Sequence, residues 1–181
     1  MTISKLRLID LAIFTGISLI FDIIISQLGF LGIVTYVAVS IPFIILMYIR
    51  WGKYALISNL IIATTHLFIY DASWLQKAAN ALGIMALGAS LLIMKMKPYS
   101  KTRIPFGAGI LLFVSTYALM FLVEWSLLQA FQETLSLASH GLNHLFNFLL
   151  GLGLTLVLAL QKELTVHMDP YLREKSEENI E

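Results

Sequence analysis

At 181 residues, with 59% of them hydrophobic and only 13% charged, the chain lacks the polar residues a soluble domain of this size needs to cover its surface. A mean hydropathy of +0.85 turns that apolar excess towards lipid, so the sequence reads as a membrane protein. The formal net charge of +1 singles out no partner, and the absence of cysteine closes disulfide, thiolate-metal and thiol-nucleophile chemistry.

Dividing the chain at its charges predicts six transmembrane helices, near 11–28, 33–49, 52–70, 78–96, 104–131 and 139–161. The charge-free run after Asp22 is too long for one span, and Gly29 and Gly32 divide it into the end of the first helix and the start of the second. The fifth helix exceeds the ~20 residues a bilayer requires. Pro42 and glycines such as Gly83, Gly88 and Gly151 fall inside spans, where they permit close helix approach or mild kinks. The expected class is all-α: one polytopic transmembrane domain over 1–181, closing in a cytoplasmic tail over 162–181 whose acidic end, 174–181, is expected to fray. Eleven of the 12 Lys and Arg fall on one side, and only Lys77 falls on the other. The positive-inside bias therefore predicts both termini in the cytoplasm, which agrees with an even number of spans in the plasma membrane. The first helix lacks a small-residue cleavage site and is expected to remain as a span.

Polar groups within hydrocarbon are costly, so their depth is informative. They gather in the predicted outer half. The first helix carries Thr15, Ser18, Asp22 and Ser26; the third carries Asn59, His66 and Tyr70; Asp71, Ser73, Trp74 and Lys77 follow in the outer loop, and Asn80 opens the fourth helix. The fifth adds Glu124, Trp125, Gln129, Gln132 and Glu133. The sixth begins with His140, Asn143, His144 and Asn147, spaced i, i+3, i+4 and i+7, a single polar face on a leucine-rich helix. The inner halves are mostly Leu, Ile, Ala and Gly, the asymmetry of a pocket open to the outside and closed within. The expected substrate-binding set is Asp22, His66, Tyr70, Asp71, Trp74, Asn80, Glu124, Trp125, Gln129, His140, Asn143, His144 and Asn147. Four acids against the single base Lys77 favour a cationic or neutral solute, and the aromatic side chains favour a flat heterocycle.

Each of these residues also has a plainer use. Asp22 and His66 can be hydrogen-bonded packing residues, Trp74 and Trp125 can be interfacial anchors, and Lys77 and Glu133 can be solvated loop charges. His140 and His144, one helical turn apart, can share a metal with Glu124 or Asp71, although the Glu that metalloproteases place between such histidines is absent. Phosphate loops, nucleophile elbows and basic aromatic faces are also absent, so ATP hydrolysis and nucleic-acid binding are not expected of this chain. Ionisable residues do not line a full path across the bilayer, which favours binding at the outer face over conduction.

In layout the chain resembles the S component of an energy-coupling factor (ECF) vitamin transporter, and two local features add to the likeness. Small residues stand four apart, Ala12 and Gly16, within Leu11-Ala12-Ile13-Phe14-Thr15-Gly16, and a basic glycine turn, Arg50-Trp51-Gly52-Lys53, joins the second and third helices. The resemblance implies a non-enzymatic subunit that captures a vitamin or precursor at the extracellular face. It implies uptake driven by a transmembrane coupling subunit, contacted through Ala12 and Gly16, and by two ATPase subunits. No catalytic residue, metal or cofactor is expected under this reading. Two alternatives stay open: a membrane metalloenzyme using His140, His144 and Glu124, and a structural membrane scaffold whose polar groups only lock helices together.

Overall fold

The computed structural model describes residues 2–27, 36–96, 99, 102–131 and 137–178. They form α1 (Ile3–Gln27), α2 (Ser40–Trp51), a 3-10 turn (Gly52–Tyr54), α3 (Ala55–Ile69) and α4 (Trp74–Ala86). A second 3-10 turn (Leu87–Ala89) carries α4 into the short α5 (Ser90–Ile93), followed by α6 (Phe106–Ala130), α7 (Leu137–Leu160) and α8 (Met168–Glu178). The class is all-α; the described residues hold one isolated β-bridge, between Arg103 and Val166, and no strand.

Five segments are long and apolar enough to cross a membrane, as in a multi-pass membrane protein: Ile3–Gln27, Ser40–Ile69, Trp74–Ile93, Phe106–Ala130 and His140–Leu160. The second is not one rod. Asn59 donates to the Tyr48 hydroxyl at 2.9 Å and the Tyr70 hydroxyl donates to the Val37 carbonyl at 2.6 Å, so α2 and α3 lie antiparallel. The chain reverses at Gly52, whose φ of 54° lies in the left-handed region where glycine has no steric penalty.

Contacts between helices fix the remaining directions. Asp22 meets Ser40 while Asp10 meets Arg50, so α1 opposes α2. His66 meets Asn80, and Gly88 lies beside Leu56, so α3 opposes α4. Tyr117 meets His144 while Phe113 meets Phe148, so α6 opposes α7. Arg7 bonds to Asp169 at 2.7 Å, which brings the two terminal regions to the same end of the bundle.

Several boundaries differ from the expected ones, for local reasons. α1 starts at Ile3 instead of near Leu11 because Arg7 and Asp10 find partners at the bundle's end and need no loop to reach water. α2 starts at Ser40, not near 33; Tyr36–Ala38 are non-helical, and Pro42 falls in the first helical turn, where its missing N–H costs nothing. Residues 28–35, with Gly29 and Gly32, lie outside the described residues. α4 starts at Trp74, four residues before the expected Ala78, because Ser73 and Gln76 form a reciprocal capping box. The tail corrects an expectation too: Met168–Glu178 is helical, with Asp169 tied to Arg7 and Thr102 donating to Glu174.

α2 is the central rod. All its residues but Phe43 are buried, against α1, α3, α7 and α8, whereas α1 buries only Leu11, Thr15, Ser18 and Asp22. Gly151 of α7 sits so close to Phe113 of α6 that an added Cβ would lie 2.8 Å from the ring, so glycine here sets the helix separation.

Candidate functional site

The polar residues of the histidine-bearing end form two buried clusters. In the first, Asp22 and His66 are fully buried, with His66 Nε2 2.8 Å from Asp22 Oδ2 and His66 Nδ1 3.1 Å from Asn80 Oδ1. The other Asp22 oxygen accepts the backbone N–H of Ser40 at 3.1 Å, tying α1 to the start of α2. One aspartate thereby joins α1, α2 and α3, and the imidazole extends the chain to α4.

The second cluster centres on Glu124 of α6. The Tyr36 hydroxyl lies 3.2 and 3.1 Å from its two oxygens and 3.3 Å from His144 Nε2, while Glu124 and His144 are 3.4 Å apart. On the far side of His144, the Tyr117 hydroxyl donates to the residue's own carbonyl at 2.9 Å and lies 3.2 Å from Nδ1. His140 stacks on Phe121, leans on Trp125 and has its ring 4.4 Å from that of His144. One ligand atom from each of Glu124, His140 and His144, all buried, lies within 4.8 Å of the others.

The backbone of Tyr36–Ala38 runs beside the second cluster, and its hydrogen-bonding groups explain half of the polar face on α7. Asn143 Oδ1 accepts the Tyr36 N–H at 3.2 Å; Asn147 Oδ1 accepts the Ala38 N–H at 2.7 Å and its amide donates to the Tyr36 carbonyl at 2.9 Å. Two asparagines one turn apart thus satisfy a stretch of chain that has no ladder of its own. The four-residue stripe divides by function: His140 and His144 face the carboxylate, while Asn143 and Asn147 hold the backbone.

A cavity of about 30 Å³ lies between the clusters, lined by Tyr36, His66, Tyr70, Ala72, Gln76, Lys77, Asn80, Glu124, Leu128, His140 and Asn143. Seven of the expected site residues therefore meet around one space or touch it: His66, Tyr70, Asn80, Glu124, His140, Asn143 and, through its contact with Glu124, His144. Asp22 stands behind His66, Trp125 behind His140, and Asn147 on the backbone. Others lie apart. Trp74 is 66% exposed, and Asp71 and Gln129 are exposed, none of them lining the cavity. Gln132 and Glu133 lie outside the described residues. Ala12 is exposed, and nothing comes within 4 Å of a Cβ built on Gly16, so that face of α1 is open.

Two contributors were missed from sequence. Tyr36 and Tyr117 both bond His144, yet each reads as one more aromatic in an apolar run. Their only sequence signal is that a phenol at mid-depth needs a partner.

Compared with known protein families, curated proteins and solved structures, the chain matches none.

Proposed function

We propose that the chain is a membrane-embedded binding subunit that captures a small solute at the extracellular side and passes it to an ATP-driven partner, in the manner of an ECF S component. The observation that carries this reading is the cavity at one end of the bundle, walled by polar side chains from α3, α4, α6, α7 and the Tyr36 segment. Towards the other end the bundle is filled by Ile44, Ile45, Met47, Leu112 and Phe113, all buried, which suits capture from one side better than conduction. In this reading six helical passes cross the plasma membrane with both termini in the cytoplasm; the alternating helix directions and the Arg7–Asp169 contact support it. The open face at Ala12 and Gly16 is the docking surface for a transmembrane coupling subunit, which works with two ATPase subunits.

The size of the space constrains the solute. About 30 Å³ holds one or two waters or an ion, far below the ~300–1,000 Å³ of pockets that enclose drug-sized ligands. A vitamin-sized heterocycle fits only if the elements lining this space move apart. A pure scaffold would use the same polar groups only to lock helices together, and a retained solute separates the two readings.

The test is uptake in proteoliposomes by the chain with its coupling and ATPase subunits, alongside native mass spectrometry for retained solutes. Energised uptake that is lost on Glu124→Gln supports the reading. Uptake by the isolated chain without ATP overturns it. Topology is checked separately in this cysteine-free chain: Asp71→Cys should label from outside and Lys162→Cys only from inside.

A further inference from the structure

We infer that Glu124, His140 and His144 form a binding site for a divalent first-row transition-metal ion. The inference does not depend on coupling to a transporter, since it concerns what these three side chains do in the isolated chain.

The first argument is a count of protons. In the tautomer where the Tyr117 hydroxyl gives its one hydrogen to the His144 carbonyl, the contact with His144 Nδ1 is made by an N–H on the ring. A neutral His144 then presents a lone pair at Nε2. That lone pair faces Glu124 Oε2 at 3.4 Å, and the single Tyr36 hydrogen can serve only one of the two acceptors. In that tautomer, two acceptors held this close in a buried site favour a positive charge between them, either an added proton or a cation.

His140 separates those two possibilities. A proton shared by Glu124 and His144 leaves His140 unexplained, although it is 3% exposed, its Nε2 has no partner among the described residues, and its ring lies against that of His144. A metal ion uses all three groups. Bonds of about 2.0–2.1 Å to imidazole nitrogen and carboxylate oxygen put neighbouring ligand atoms of a tetrahedral site about 3.3 Å apart. The Glu124–His144 edge already has that length, and one ligand atom from each of the three residues lies within 4.8 Å of the others.

The surroundings are those of a metal site. Tyr117 orients the His144 ring through Nδ1, the role that outer hydrogen bonds play for ligating histidines. Phe121 and Trp125 fix the plane of His140, and Tyr36 stands beside the carboxylate with an oxygen that can complete the coordination. Two imidazoles and one carboxylate select Zn²⁺, Co²⁺ or Ni²⁺ over Mg²⁺ and Ca²⁺, which prefer all-oxygen sites.

To test this, the full chain is purified in detergent through a tag without histidine, stripped with chelator and titrated with Zn²⁺ and, separately, Co²⁺. We expect one equivalent of either ion, a visible Co²⁺ absorption band of tetrahedral type, and an X-ray absorption spectrum of the Zn²⁺ form with imidazole shells. His140→Gln, His144→Gln and Glu124→Gln should each weaken binding at least tenfold, and Tyr117→Phe should weaken it about tenfold through loss of orientation. Binding weaker than about 1 mM, or an all-oxygen shell on the wild-type chain, overturns the site even if a variant fails to fold. Tight binding unchanged in folded His140→Gln and His144→Gln places the ion elsewhere and also overturns it. Loss of metal binding in Glu124→Gln with energised uptake of an organic solute intact would overturn the transport assignment of this cavity alone.

Discussion

The two ends of the bundle hold their helices together by different means. At the end carrying the termini, formal charges pair where they are only partly buried or have several partners: Arg50 bonds Asp10 at 2.7 Å and the Glu163 carbonyl at 2.9 Å, Trp51 donates to the same Asp10 oxygen, and Arg7 bonds Asp169. Arg7 also lies over the Tyr54 ring at 3.6 Å. Asp10, Arg7 and Asp169 keep some access to water. At the histidine end Asp22, His66, Asn147 and Glu124 are within 3% of full burial, and each relies on a specific partner. A polar group that water can reach tolerates loss of its partner, whereas one sealed in the bundle does not.

That contrast is testable from its strongest point downwards. Asp22→Leu removes the partner of His66 and of the Ser40 N–H, and should cost about 3–5 kcal/mol in reversible unfolding from lipid or mixed micelles. A loss no larger than that of Asp10→Leu would break the comparison. Asn147→Ala leaves the buried Ala38 N–H and Tyr36 carbonyl without their side-chain partner, for an expected loss of about 2–3 kcal/mol, and faster amide exchange at Ala38 should accompany it. Gly151→Ala drives a methyl into Phe113 and should cost about 1–3 kcal/mol, relieved when Phe113→Leu is added, a double-mutant cycle sharpening the packing term against the polar one.

At the other end Asp10→Ala should cost about 1–2 kcal/mol, less in high salt, because Arg50 keeps the Glu163 carbonyl and some water. The smallest effect belongs to Gly16→Leu. With nothing within 4 Å of the added carbon, thermal stability of the isolated chain should change by less than about 0.5 kcal/mol, while co-purification with a coupling subunit should fail. A destabilised monomer would mean that Gly16 serves the fold itself.

The sequence by itself determined that the chain is all-α with several helices long and apolar enough to cross a membrane, and it placed most helices within a few residues, because apolar length and clustered charge are local properties. It also gathered His66, Asn80, Glu124, His140 and His144 at one depth, since a polar side chain in lipid stands out wherever it lies. It misjudged 36–38 and the tail because both are set by distant partners: Asn143 and Asn147 replace helical hydrogen bonds in the first, and Arg7 anchors the second. The tertiary structure alone decided which apolar helix is central. α1 and α2 are both rich in Ile and Leu, yet one is mostly exposed and the other almost wholly buried. In lipid an outward face needs no polar residues, so the contrast that marks inside from outside in water is missing from the sequence. It also decided that two of the four residues on one stripe of α7 hold backbone while two face a carboxylate. Spacing sets the face of a helix; what that face meets depends on the helices packed against it.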